Sequence, residues 1–304
     1  MRTRLHRILA LVAMAVAVVS ASTAIAQQKS DPVEPLLWQP SMNVFRRFTI
    51  DRARMIEFYG KVLSLRPLST FELGGGNQMI RFGAGTSEIK LTAGQPRDRQ
   101  YPTGGLEDVT GLRVLTFFFP SEAELSARFT AHGYPAPAFR NVPGSRNRVA
   151  MVQDAAGEFV ELVVAPGAPL SQFDRIEVGL HVSNLEKSRA FYREFVGLQE
   201  LPPVEDVLLG TTKYPYRHGT TTVNLWTFGR NDLPANTGTA GIQYVVSDAA
   251  GVDVRAKATN QKIDSALGFT LPGLKTIWLS DPDGITNYFA ETNQSRTAPK
   301  PAAP

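Results

Sequence analysis

The chain has no cysteine among its 304 residues, which excludes disulfides, thiolate metal ligands and a thiol nucleophile. Histidine is nearly as scarce, with 4 in all, so a site built from several imidazoles is excluded too. The formal charge of +4 is concentrated at the start: Arg2, Arg4 and Arg7 account for three of it, leaving 29 Lys+Arg (32 less 3) against 28 Asp+Glu. A chain so nearly neutral offers no electrostatic footprint for nucleic acid or an anionic membrane. There is no nucleophile-elbow pattern and no zincin helix. The glycine-rich "ELGGGNQ", 72–78, opens no helix and reads as a hairpin turn rather than a phosphate cradle.

What is present begins with "MRTRLHRILALVAMAVAVVSASTAIA", a basic start, an apolar middle and a small-residue end. This pattern predicts a signal peptide over 1–26, and with it a periplasmic or secreted protein with no membrane association after cleavage. Residues 27–43 follow as an N-terminal extension. The final stretch, 294–304, is rich in Pro and Ala without apolar periodicity, and is expected to be a disordered tail.

Between these ends the chain repeats itself. "MIEFYGKVLSLRPL" around Phe58 is answered by "SRAFYREFVGLQEL" around Phe191, "IRFGAG" by "YRHGTT", and "QDAAGEFVEL" by "SDPDGITNYF". Matches in one order at nearly constant offset mark two homologous halves. They meet in the Pro- and Gly-containing linker 166–174. In "IEVGLHV" the apolar Ile176, Val178, Leu180 and Val182 alternate with Glu177, Gly179 and His181, a strand with one buried face. Ser183 and Glu186 then carry a capping-box signature before a helix. Three more strand-length segments follow, giving β-α-β-β-β. The same order recurs four times, so the expected fold is α+β, built of four βαβββ units in two domains, 44–165 and 175–293.

The paired "FY" segments, the "GL" that follows one of them and the "DPDG" turn together resemble the vicinal oxygen chelate superfamily, which includes glyoxalase I, extradiol dioxygenases and bleomycin-binding proteins. The resemblance spans roughly 44–293. It implies tandem glyoxalase/bleomycin-resistance-type domains, each pair of units curving round a cavity, with a divalent metal held by side chains from the first and last strands of each unit. In the second half the implied positions fall on His181, Asn224, the Gly241/Gln243 neighbourhood and Tyr288. In the first half they fall on Phe48, Lys90, the Val114/Thr116 neighbourhood and Glu161. Too few anionic or imidazole donors stand there for a hard cation, so a divalent metal cofactor is not favoured. Some four-unit members pair their units by exchange, second with third and first with fourth. Glu161 and His181 would then share one cavity with Asn224, as a weak metal site or an acid-base pair, while Phe48, Lys90, Gln243 and Tyr288 would line the other. Either pairing fits the sequence.

The expected partner is a small organic molecule. His181 and Tyr288 are the candidate catalytic groups, with Asn224, Trp226 and Gln243 orienting the ligand. Three readings stand side by side: an enzyme using His181 with little or no metal dependence, a non-catalytic protein that sequesters its ligand, and a metal-dependent lyase or dioxygenase resting on Glu161 and His181. For Glu161 the competing structural role is an ion pair with Lys90. His132 closes a helix, where a cation suits the dipole, and His218 stands at a turn.

Overall fold

The computed structural model describes residues 31–74 and 77–301. The signal peptide expected over 1–26 lies outside them. Among the described residues no helix is long and apolar enough to cross a membrane.

The first unit comprises β1 (Asn43–Phe48), α1 (Arg52–Glu57), β2 (Arg66–Gly74), β3 (Asn77–Ala84) and β4 (Ser87–Ala93). The second comprises β5 (Thr110–Phe119), α2 (Glu122–Ala131), a short β6 (Arg140–Asn141), β7 (Arg148–Gln153) and β8 (Phe159–Val164). The third runs from β9 (Ile176–His181) through α3 (Leu185–Ala190), β10 (Gln199–Glu200), β11 (Val204–Asp206) and β12 (Thr211–His218) to β13 (Thr221–Trp226). After β14 (Ala235–Asn236), the fourth has β15 (Ala240–Val245), α4 (Ala249–Ala258), β16 (Lys262–Leu271), β17 (Leu274–Ser280) and β18 (Thr286–Thr292).

The units pair by exchange. One sheet has the order β16-β17-β18-β15-β1-β4-β3-β2, joining the fourth unit to the first; the other runs β10-β12-β13-β9-β5-β8-β7-β6, joining the third to the second. The seams are antiparallel, with Asn43 opposite Gln243 in one and Thr116 opposite Glu177 in the other. One core lies behind both sheets: Val44, Leu91, Leu115 and Val178 from the strands meet Met55, Phe129 and Val252 from the helices.

The repeated motifs hold this core together. In both halves the helix widens into a π-helical turn at the Phe-Tyr pair, Phe58–Val62 and Phe191–Val196. The two tyrosines reach the turn before a last strand: Tyr59 Oη donates to Asp154 at 2.8 Å and Tyr192 Oη to Asp281 at 2.9 Å. Asp154 also takes a buried ion pair from Arg46 at 3.1 Å. Among the described residues no cation pairs with Asp281, and burial followed by the neighbouring Asp283 pushes its carboxyl up to about 7.

Two local expectations are corrected. Asn184, not Ser183, caps α3, because its side chain accepts from Lys187 N while the Ser183 amide is taken by Asp283 at 3.0 Å. The tail expected to be disordered begins with a short helix, α5 (Asn293–Thr297), opened by a capping box at Thr292, and the Ala298 carbonyl accepts from Trp38 Nε1 at 3.1 Å.

Candidate functional site

Each sheet presents its other face to a cup, and the two cups differ. In the cup shared by the first and fourth units, alternation along β1 turns Val44, Arg46 and Phe48 to the core and leaves Phe45 and Arg47 on the cavity wall with Asn43. The cavity holds about 600 Å³, a volume suited to a small organic molecule. Both edges of the sheet contribute lining, Phe71 from β2 and Leu271 from β16, so the sheet curls round the space.

The wall is aromatic and the floor polar. Trp278 and Tyr288 stack with ring centroids 4.6 Å apart at 14°, Phe45 leans on Tyr288 at 5.7 Å, and the Arg47 guanidinium lies 5.6 Å from the Phe45 ring. On the floor, Gln243 Oε1 accepts from Asn43 at 3.0 Å and from Lys90. Glu88 is shared by Lys90 at 3.4 Å and Arg81 at 3.3 Å. Burial lowers the proton affinity of the Lys90 amine, and Glu88 opposes that shift. Burial raises the Tyr288 phenol, so it stays protonated and its hydroxyl is a donor.

The cup shared by the second and third units is largely filled, with a smaller, more open cavity of about 380 Å³ left between Leu106, Phe159, Leu209 and Phe228. Trp226, Val114 and Leu209 are buried in it, with Met151, Phe159 and Phe228 packed against them. The segment after β10 folds over as β11 and a turn in which Asp206 accepts from the amides of Leu208 and Leu209, each at 2.8 Å. Lys213 enters between carboxylates: its Nζ is 3.0 Å from Glu161 and is bonded to Asp206. Burial works against that ammonium, but Glu161 and then Asp206 raise its proton affinity on balance. Glu161 also accepts from Thr116 at 2.8 Å, and Asn224 donates to Glu177 at 2.6 Å.

His181 is fully buried in this second cup. Its Nδ1 donates to the Val109 carbonyl at 3.0 Å, and the Leu106 backbone also acts on the ring. The ring lies parallel to Trp226 and edge-on to Phe228, and burial lowers its proton affinity, so the imidazole is neutral.

The exchanged pairing therefore does not bring Glu161 to His181. Glu161 is level with Thr116 and Glu177 across β8, β5 and β9. His181 lies four residues further along β9, about 13 Å at the rise of a strand, whereas bonds to a shared metal are about 2 Å. Nor does Glu161 pair with Lys90: each has its own partner, Lys213 and Glu88 respectively. The position level with Glu161 on the third unit's first strand is Glu177, and its counterpart in the first unit is Asn43, level with Gln243 and Tyr288. The first unit has one residue more between that position and its Phe-Tyr pair, fifteen from Asn43 to Phe58 against fourteen from Glu177 to Phe191. Counting back from the pair thus misplaces Phe48, which faces the core. A divalent metal does not fit either cup. In one, the Lys213 ammonium already occupies Glu161; in the other, the single carboxylate, Glu88, is held by two cations. Among the described residues no group of three or more His, Asp or Glu side chains is placed to hold a metal.

Of the residues singled out from the sequence, Tyr288 and Gln243 line the open cup, while His181, Asn224 and Trp226 belong to the filled one. Sequence reasoning missed Phe45, Arg47 and Trp278, and also Trp38 and Gln39 of the N-terminal extension, all on the open wall. Alternation in "NVFRRF" signals the first two once Arg46, between them, is assigned to the core.

Comparison with solved structures defines the fold. Glyoxalase I from Zea mays superposes with a TM-score of 0.60 at 21% identity, covering 83% of this chain and 92% of that one. A putative dioxygenase from Bacillus subtilis subsp. subtilis str. 168 also gives 0.60, at 14% identity, with 86% of each chain covered. No family model and no curated protein sequence matches. The chain has the fold of the vicinal oxygen chelate superfamily. More particularly, it is a four-unit chain of that fold with exchanged pairing, one cup open and one filled.

Proposed function

We propose that this protein binds a small organic molecule in the cup of its first and fourth units, without a metal, as an exported binding protein. The observation that supports this reading is the contrast between the cups. Two sheets of the same ancestry differ in that one has its concave face packed with Trp226, Leu209 and an internal ion pair, whereas the other retains a cavity of about 600 Å³ walled by Phe45, Tyr288 and Trp278. An aromatic wall with a few convergent polar groups is the usual make-up of a small-molecule site. His181, neutral and enclosed in the filled cup, is not part of it.

One observation favours a second reading, an enzyme moving a proton. Lys90 lines the cavity and burial lowers its proton affinity, which brings an amine toward the range where it can act as a base.

The test is a thermal-shift screen of chemically diverse organic ligands, followed by native mass spectrometry of those that stabilise the protein. Binding that weakens at least tenfold in Trp278→Leu and recovers the ligand unchanged supports the binding protein. Recovery of an altered ligand, with loss of turnover in Lys90→Met, supports the enzyme. Hits whose affinity is indifferent to Trp278→Leu and Tyr288→Ala place the site elsewhere and overturn both readings.

A further inference from the structure

The open cup carries a charge pattern that narrows its ligand. Its lining includes three cations, Arg47, Arg81 and Lys90, and one carboxylate, Glu88. Glu88 is shared between Arg81 and Lys90, so those three groups sum to one positive charge. Arg47 adds a second. Among the described residues it has no carboxylate within 4.0 Å and no side-chain hydrogen bond; the Phe45 ring lies 5.6 Å beneath it, and Tyr101, Arg99 and Asp98 act on it from further off, the last two with opposite signs. A half-buried guanidinium with its N–H edge unused is a strong site for a planar anion, because the group offers a fixed fork of donors that suits carboxylate geometry.

The aromatic wall continues from that cation. Phe45 joins Arg47 to Tyr288 at a tilt of 52°, and Tyr288 stacks on Trp278 at 14°, so an aromatic wall runs away from the charge. The Tyr288 hydroxyl lies on the same wall, without a hydrogen-bond partner among the described residues, as a further donor. Rings set at these angles favour an aromatic partner, which can stack on one ring and meet another edge to face. An ammonium ligand would meet a net positive lining, and an uncharged carbonyl would engage the Arg47 fork less strongly than a carboxylate.

We propose that the ligand is an anionic aromatic molecule, its ring system against the Trp278 and Tyr288 rings and its carboxylate or equivalent planar anion on Arg47. The proposal rests on the reading of this cup as the binding site and adds the ligand's charge and shape.

Three probes of one ring system separate the two. Isothermal titration of the full chain with 2-naphthoate, 2-naphthamide and (2-naphthylmethyl)trimethylammonium should rank them in that order, naphthoate about tenfold tighter than the amide, the worth of one charged hydrogen-bonded contact. In Arg47→Gln the ratio of naphthoate to naphthamide should fall to near one while naphthamide binds within about twofold of its wild-type affinity, which also reports that the cup is intact. Equal or tighter binding of the amide or the ammonium, or a naphthoate preference that survives Arg47→Gln, overturns the charge assignment and leaves the cup reading standing. No binding of any of the three overturns both.

Discussion

Replacing Lys213 with methionine removes one charge from the filled cup while keeping an unbranched side chain one atom shorter. In the wild type its Nζ stands 3.0 Å from Glu161 and is bonded to Asp206, with side-chain exposures of 11% for the lysine, 5% for Glu161 and 8% for Asp206. The variant leaves two buried carboxylates facing each other, with Glu177 nearby. Breaking a buried pair from one side costs about 3–5 kcal/mol, because the remaining charge is uncompensated. Glu161 keeps the Thr116 hydroxyl and Asp206 keeps the Leu208 and Leu209 amides, so the lower end, about 3 kcal/mol, is expected. Urea unfolding at pH 7 followed by tryptophan fluorescence measures it, since Trp226 is buried in this cup. The pH dependence supplies a second check. Burial already raises the Glu161 carboxyl above its ordinary value despite Lys213. A raised folded pKa means the folded chain holds that proton more tightly than the unfolded one, so stability is gained as pH falls through the folded value. Without the lysine that rise is larger, and the deficit of the variant should shrink toward pH 5. Adding Glu161→Gln should restore part of the loss. A deficit under about 1 kcal/mol at pH 7, the worth of a surface pair, or one that grows on acidification, would refute the account of Lys213 as the cup's internal cation.

Gly241→Ala should destabilise the chain by about 1–3 kcal/mol through overpacking and weaken naphthoate binding, because the new Cβ would come within 2.4 Å of the Phe45 ring and 2.6 Å of the Thr286 carbonyl. Gly268→Ala, which has only the Ala266 carbonyl near it at 3.8 Å, is the matched control, and its thermal midpoint should not move. Asp281, held up to about 7 by burial and Asp283, should make the wild type lose stability as pH rises from about 4, its unfolded range, through the folded value. Asp283→Asn should flatten that slope, and an unchanged slope in the thermal midpoint against pH would assign it to other groups. Protein purified without chelator should carry no stoichiometric Mn, Fe, Ni or Zn, and EDTA should leave its thermal midpoint unchanged; a stoichiometric metal lost in Glu161→Gln would reverse the conclusion that neither cup accepts one.

The fold was legible because its evidence is repetitive. The Phe-Tyr pairs and the turn aspartates recur at matching places, and the structure shows why: each tyrosine bonds one of those aspartates. The pairing of units was not legible, since alternation states which face of β1 or β9 is buried but not which strand lies beside it. The site was read in part. Tyr288 and Gln243 follow from the last turn and from strand alternation. Phe48 does not, because one additional residue before the first helix reverses the face. His181 drew attention by its rarity, yet rarity carries no information about whether a cup is open, and Leu209 and Lys213, which fill the one around it, come from a segment with little periodicity to read. Arg47 was hidden by its neighbour: Arg46 is a cation in the core, compensated by Asp154, and breaks the pattern that would have exposed the alternation.

The exchanged pairing also orders events in time. In the open cup, Asn43 must find Gln243, 200 residues away, whereas the filled cup closes between Val109 and His181 over 72. Contacts so distant in the chain form late, and a chain synthesised from its N-terminus folds what it already has. The sheet of the fuller cup is complete in sequence once Asn236 has emerged, while β1 must wait with an unpaired edge until β15 is made. The fuller cup is thus the template on which the other is assembled, and a product ending between Asn236 and Ala240 would present that finished sheet beside a β1 edge open to self-association.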